Sequence, residues 1–169
     1  PRLETSPTMA ELMAAALHTL SQDEDGFVLM AEGGAIDWAS HANHSGRAIE
    51  EQIDFDNAVN YAINWVEQNS NWDETLMIVT SDHECGYLTG HGSNPEIMPV
   101  QNNGKETQPG MKWQSGGHTN QLVPFFVKGA AAGEFANFIQ DVDPRYGPYI
   151  NNTAIAQVLR KIWKQPMNH

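Results

Sequence analysis

The sequence predicts an α/β fold, a partial doubly wound sheet of mostly parallel strands flanked by helices. Two short, continuously apolar runs, Phe27 to Ala31 and Leu76 to Val79, support it because strands buried on both faces of a parallel sheet have this pattern. Between them, apolar residues recur at spacings of three and four from Asp54 to Gln68, which indicates an amphipathic helix. This order of strand, helix and strand predicts a parallel βαβ unit.

The other predicted helices flank this unit. Thr8 and Glu11 have the spacing of a capping box, so a helix is expected from there to about Leu20. Asp54 is expected to cap the central helix. From Asn152 onward, apolar residues at helical spacing predict a closing helix.

Between the second strand and the closing helix, the pattern is less regular. Residues 84–119 contain several turn signals, Asn94-Pro95 among them, and no sustained period, so a long functional or mobile loop is expected. The run Leu122 to Val127 then predicts a third strand. Pro124 removes a ladder donor there, which favours an edge position or a bulge.

Composition limits the classes of partner. With 169 residues, 40% of them hydrophobic, the chain is long enough for a buried core, and one compact domain is the default expectation. The formal charge of -12 argues against nucleic acid and anionic membranes as partners and favours small substrates or metal cations. The single cysteine, Cys85, excludes an intramolecular disulfide. The start at Pro1 fits neither a signal peptide nor an initiator methionine, so a preceding segment is expected.

Metal-ligand residue types lie at the ends of the predicted strands, after the first two and before the third. Parallel sheets bind ligands at the carboxyl ends of their strands, and carboxylates and imidazoles gathered at one edge would repel one another or stay poorly solvated unless cations lay among them. The sequence therefore predicts a metal cluster. Its candidate ligands are Glu32, Asp37, His41, Asp82, His83 and His118.

The spacing of Asp37 and His41 is the most informative part of this set. A helical turn after the first strand would place both side chains on one face, where two ligands can bind one ion. His118 is a candidate third ligand. Two imidazoles and a carboxylate leave one coordination position open, as in hydrolytic zinc sites.

The remaining candidates suit other ions. Asp82 and His83 adjoin each other at a predicted strand end, where a sharp turn would direct both toward a second zinc. The carboxylate of Glu32, with no imidazole beside it in the sequence, suits a harder ion such as magnesium.

Three ordered motifs carry a resemblance to a known family. The segments Met30 to His41 (MAEGGAIDWASH), Val79 to His83 (VTSDH) and Ser115 to Thr119 (SGGHT) together closely resemble the alkaline phosphatase family, and the resemblance spans nearly the whole chain. It implies a hydrolase of phosphate monoesters that uses two Zn²⁺ ions and one Mg²⁺ ion. By resemblance, Asp37, His41 and His118 hold one zinc, Asp82 and His83 contribute to the second, and Glu32 contributes to the magnesium site.

The sequence also departs from the family pattern. Family members use a serine nucleophile in an Asp-Ser-Ala type motif and an early metal-bridging aspartate, and neither motif occurs here. Residues 1-169 therefore resemble the C-terminal part of the catalytic domain, without the N-terminal part that carries the nucleophile, and are expected to be weakly active or inactive alone. Cys85 occupies a place where some relatives have a second histidine, and Trp38 a place where relatives have a polar residue. Both changes affect groups around the ligands, which tune metal affinity.

Two other functions remain open. A phosphodiesterase or a cofactor-independent phosphoglycerate mutase of the same superfamily would share the ligand spacings, although the Glu-Gly-Gly-x-Ile-Asp segment favours a phosphatase. A non-catalytic metal-binding fragment is the other alternative.

Family members are typically exported, which implies a periplasmic or secreted location. An incomplete sheet would expose an edge, so a homo-oligomer or association with the missing N-terminal part is expected.

Overall fold

The computed structural model describes residues 5–94 and 96–163. The chain divides into two compact units rather than the single domain expected from its length. The first unit contains residues 5–65 and 84–120, and the second contains residues 66–83 and 121–163. The expectations about the start at Pro1 and the turn at Pro95 fall outside the described residues. None of the described helices combines the length and apolarity that crossing a bilayer requires.

Three helices contribute to the first unit. Helix α1 is Met9–Leu20, α2 is Ala35–His41 and α3 is Ser45–Asn69, of which the residues up to Trp65 belong to this unit. The predicted capping box of α1 is confirmed: the Thr8 hydroxyl accepts from the Glu11 N–H, and the Glu11 carboxylate accepts from the Thr8 N–H.

Helix α3 begins earlier than predicted, so the expectation that Asp54 caps it is wrong. Asp54 lies inside the helix, and its carboxylate accepts a hydrogen bond of 3.0 Å from the N–H of Met9, the first residue of α1. The apolar positions that predicted the helix are confirmed as its less exposed face, with Ala58 and Ala62 buried.

The first predicted strand does not form. Residues 27–31 have no strand partner among the described residues, and the expected burial is missing, since Val28 is 66% and Met30 is 88% exposed. A strand requires a neighbouring strand to pair its backbone groups, and an apolar run does not provide one. The βαβ unit predicted from this run is therefore not observed.

The other strands pair in a way that the sequence did not predict. The described part of the chain forms four sheets of two strands each, and all are antiparallel, so the parallel doubly wound arrangement is not confirmed. Residues 84–119, expected to be a loop, contain four of these strands: β2 (Glu84–Cys85), β3 (Leu88–Gly90), β4 (Met111–Trp113) and β5 (His118–Thr119). Strand β2 pairs with β5, and β3 pairs with β4.

The second unit contains the remaining elements. Strands β1 (Leu76–Thr80) and β6 (Phe125–Gly129) confirm two of the predicted strands, with β6 beginning after Pro124, and they pair with each other. A 3-10 helix, Ala132–Phe138, a hairpin of β7 (Ile139–Asp143) and β8 (Gly147–Ile150), and the predicted closing helix α4 (Thr153–Trp163) follow. The buried side chains of this unit are Val66, Phe135, Ala154 and Val158.

Candidate metal centre

Helix α2 positions the first two candidate ligands as the spacing predicts. Asp37 and His41 lie one turn apart, and His41 Nε2 is 3.4 Å from Asp37 Oδ2. The helix is held locally by the buried Ser40, whose hydroxyl donates to the Ile36 carbonyl at 2.8 Å. The side chains of Asp37 and His41 are 32% and 40% exposed, so both remain accessible from solvent.

Strand β5 brings His118 to the same place. His118 Nε2 lies 3.2 Å from Asp37 Oδ1 and 3.0 Å from His41 Nε2. The three contacts from Asp37 and the two histidines thus span 3.0 to 3.4 Å. Ligand atoms around a tetrahedral zinc, at bonds of ~2.0–2.1 Å, lie about 3.3 Å apart. The three side chains therefore fit one such ion.

The orientation of His41 also suits metal binding. Its Nδ1 lies 2.7 Å from the Gly116 carbonyl oxygen, and a carbonyl can only accept, so Nδ1 carries the proton in this hydrogen bond. In the neutral ring this leaves Nε2, the atom that faces His118 and Asp37, with a free lone pair. Histidine ligands commonly have their second nitrogen fixed in this way.

Cys85 on β2 joins these three residues. One potential ligand atom from each of Asp37, His41, Cys85 and His118 forms a group in which all four atoms lie within 4.8 Å of one another. From the sequence, Cys85 was expected only as a change beside the ligands. No local signal marked it as a potential ligand, because its place in the group follows from the pairing of β2 with β5.

The electrostatics of the cluster follow from these contacts. Burial raises the pKa of the Asp37 carboxyl, but the hydrogen bond from Cys85 and the neighbouring His41 and His118 outweigh it, so the pKa is lowered overall. Burial, the hydrogen bond to Asp37 and the negative charges of Asp37 and Glu84 raise the pKa of the Cys85 thiol to about 12. A metal ion would change this balance, since a coordinating thiol is deprotonated.

Loop contacts hold β2 and β5 at their spacing. Gly86 donates its N–H to the Gly117 carbonyl, and its own carbonyl accepts from Gln114 and Ser115. Gly86 has φ +84°, and a Cβ there would lie 2.4 Å from the Trp113 ring. Only glycine fits this position without strain.

The other predicted ligands are not part of this four-residue group. Glu32 is exposed just before α2. Asp82 and His83 belong to the second unit, where His83 Nε2 lies 3.4 Å from Asp82 Oδ2 and the Asp82 side chain is 86% exposed. Within the described residues, the group of Asp37, His41, Cys85 and His118 is the one that gathers three or more potential ligands.

Solved structures with a similar fold are alkaline phosphatases. The alkaline phosphatase from the Antarctic bacterium TAB5 matches with a TM-score of 0.67 and 30% identity, over 93% of this chain and 41% of that one. A TAB5 variant with Mg bound in its M3 site matches with a TM-score of 0.64 and 29% identity, over 91% of this chain and 43% of that one. The cold-active enzyme of Shewanella sp. shares the fold, with a TM-score of 0.70 and 24% identity over 94% of this chain and 50% of that one.

Proteins with similar sequences are also alkaline phosphatases. The membrane-bound alkaline phosphatase of Bombyx mori is 44% identical over 79 residues, which are 47% of this chain and 14% of that protein. The alkaline phosphatase of Escherichia coli (strain K12) is 39% identical over 82 residues, 48% of this chain and 17% of that protein. The chain thus matches less than a fifth of the length of either relative. The family model for alkaline phosphatase matches residues 2–109, more than half of the chain. This match favours the phosphatases over the phosphodiesterase and mutase branches, and the chain belongs to the alkaline phosphatase family.

Proposed function

We propose that this chain supplies the zinc-binding part of a phosphate monoester hydrolase. The observation that carries the proposal is the group of Asp37, His41 and His118, whose ligand atoms lie 3.0 to 3.4 Å apart. Members of the alkaline phosphatase family hydrolyse phosphate monoesters, which supports a small anionic substrate. A cation at this group would also offset part of the chain's formal charge of -12, which otherwise repels phosphate.

In this proposal each residue has a defined role. Asp37, His41 and His118 hold one Zn²⁺, and the Gly116 carbonyl fixes the ring of His41. Asp82 and His83 contribute to a second Zn²⁺, and Glu32 contributes to a Mg²⁺ site. When bound, the ions supply positive charge that stabilises the attacking and leaving oxygens of the phosphoryl group.

The proposed activity of the chain by itself is weak or absent. The family's serine nucleophile lies in an Asp-Ser-Ala type motif, and this sequence contains no such motif. In this proposal, residues 1-169 correspond to the C-terminal part of the catalytic domain. The match covers 41% of the TAB5 chain, as expected if this chain corresponds to a part of such a domain.

Metal content tests the proposal directly. The chain would be dialysed against trace zinc and analysed for bound metal beside the double variant His41→Ala/His118→Ala. We expect about one tightly bound zinc to be lost in the variant. The matched control is His18→Ala/His91→Ala, which removes two imidazoles outside the group and should retain the metal. If neither the wild type nor the control retained zinc, the proposal would be wrong.

Association with another chain is a further part of the proposal. The apolar side chains of Val28 and Met30 are exposed on a segment that has no strand partner among the described residues. We propose that a second copy, or the N-terminal part of a family member's catalytic domain, covers this segment. Light scattering should show a dimer or a larger species that Val28→Thr/Met30→Thr weakens, and a monomeric wild type would contradict self-association.

The proposed location follows the family resemblance. We propose that the protein acts in the periplasm or is secreted, and that it encounters phosphate monoesters there, outside the cytoplasm. Fractionation of the native cells with an antibody against this chain tests it. Recovery of the protein only from the cytoplasmic fraction would contradict the proposal.

A further inference from the structure

Strand pairing places Cys85 beside a proposed metal ligand. Cys85 on β2 is the direct partner of His118 on β5. Residues directly opposite in an antiparallel pair project their side chains from the same face, with Cβ atoms ~4.5–5.5 Å apart. The pairing therefore directs the Cys85 thiol and the His118 imidazole to one side of this small sheet.

The cluster geometry extends this pair to four residues. The sulfur of Cys85 belongs to the group whose ligand atoms all lie within 4.8 Å of one another. In a tetrahedral site with one Zn–S bond of ~2.3 Å and nitrogen or oxygen ligands at ~2.0–2.1 Å, the sulfur lies about 3.5 Å from the others. Because each separation is at most 4.8 Å, closing any one of them to that distance requires a movement of no more than about 1.3 Å, a displacement that a change in the Cys85 side-chain torsion can supply.

The thiol already contacts the cluster, because it donates a hydrogen bond to the Asp37 carboxylate. Its sulfur lies 3.9 Å from the Asp37 backbone oxygen, a separation too long for a strong hydrogen bond. The residue is half-buried, and its sulfur lies within 4.8 Å of ligand atoms from a carboxylate and two imidazoles. A thiol in such company is suited to metal ligation.

We propose that Cys85 is the fourth ligand of the metal ion held by Asp37, His41 and His118, an inference that rests on the metal site in the proposed function. On binding, the S–H bond breaks, its proton passes to water and a sulfur–metal bond forms. Thiolate favours borderline and soft cations such as Zn²⁺ or Cd²⁺ over Mg²⁺.

This ligation has a consequence for chemistry at the site. Four protein ligands close a tetrahedral zinc site, whereas hydrolytic sites keep one position for water or substrate. While the thiolate is bound, the ion therefore has no position for a phosphate oxygen. The site would therefore have two states. With Cys85 bound it would be closed, as in a storage or structural site, and without Cys85 it would be open, as in a catalytic site.

Cobalt substitution tests the proposal because a thiolate ligand gives Co²⁺ a near-ultraviolet charge-transfer band. The chain contains one cysteine, so such a band reports Cys85 alone when no other thiol is present. We expect the wild type to show the band together with the visible bands of tetrahedral Co²⁺. In Cys85→Ser the near-ultraviolet band should be lost, and zinc affinity should fall roughly tenfold or more.

A second measurement uses the unmodified protein, so it does not depend on how the variant folds. Alkylation of Cys85 by iodoacetamide should be slowed by Zn²⁺ and unaffected by Mg²⁺. Two results together would overturn the role of Cys85 and leave the three-ligand site intact. The cobalt protein would show the visible bands without the near-ultraviolet band, and the rate of alkylation would not change when Zn²⁺ is added. No binding of Co²⁺ or Zn²⁺ at all would overturn both proposals.

Discussion

The two predicted zinc-ligand groups differ in how completely the chain assembles them. Asp37, His41 and His118 come from positions up to 81 residues apart in sequence, yet their ligand atoms lie 3.0 to 3.4 Å from one another. Asp82 and His83 are sequence neighbours. Their contact of 3.4 Å is of similar length, but the Asp82 side chain is 86% exposed.

A short contact between ligand atoms is weak evidence for a metal site in Asp82 and His83 and stronger evidence in the three-residue group. Any turn can bring adjacent side chains together, so the Asp82–His83 contact requires no further organisation. The three-residue group requires a helix, a strand pair and the Gly116 carbonyl to act together. Ordering these segments costs conformational entropy, and the ordered group is therefore the stronger indication of a binding site.

The largest predicted effect compares His118→Ala with His83→Ala. Removing His118 takes one of three ligands from the assembled group, so zinc affinity there should fall by more than the roughly 10–100-fold that an outer partner costs. His83→Ala should leave that zinc bound. Titration against a chromophoric chelator measures both. Equal losses in the two variants would contradict the assignment of this zinc to the three-residue group.

The next effect concerns Gly86, which follows β2 and forms hydrogen bonds with the loop before β5. Gly86→Ala combines a φ of +84° with a contact of 2.4 Å to the Trp113 ring, so it should lower the free energy of unfolding by about 2–4 kcal/mol and weaken zinc binding. Gly92→Ala is the control, because it shares a positive φ but meets no atom within 4 Å. Its cost should be about 1–2 kcal/mol. Equal urea midpoints for the two variants would contradict the packing argument.

What the sequence predicted well is local. The capping box of Thr8 and Glu11, the run Leu76 to Val79, and the spacing of Asp37 and His41 each specify structure within a few residues, and each is confirmed. His118 was predicted as the third ligand, and the structure brings it to the other two.

What the sequence did not predict depends on partners far along the chain. The short strands β2 and β5 are recognisable only through their pairing, which joins residues 84–85 to residues 118–119. Asp54 interacts with the start of α1, 45 residues away, and not with its own helix end. The place of Cys85 beside the ligands follows from the same strand pairing, so local pattern could not reveal it.

A smaller effect is expected at the hydrogen bond between β2 and β5. The Thr119 hydroxyl donates to the Glu84 carboxylate across the pair, so Thr119→Val, which keeps the shape and removes the donor, should cost about 1–2 kcal/mol. It should also weaken zinc binding a few-fold by loosening His118. The control is Thr107→Val, whose exposed hydroxyl donates only to the nearby Lys105 carbonyl. If the two variants matched in stability and zinc affinity, the cross-strand bond would have no role in holding the site.

The smallest effect should lie in the second unit, which contains none of the three residues of the assembled group. Glu134 in the 3-10 helix pairs with Lys161 of α4, and the hydrogen bond from Lys161 lowers the pKa of Glu134. A carboxyl with a lowered pKa stabilises the fold above the unfolded value of about 4.3, and this contribution is lost as the pH falls through the folded pKa. Glu134→Gln should therefore be slightly less stable than wild type at neutral pH, and the two urea midpoints should converge below about pH 4.

Zinc content at neutral pH should be unchanged, because the pair contains none of the proposed ligands. A variant that lost zinc as His118→Ala does would show that the metal depends on the whole fold and not on the assembled group.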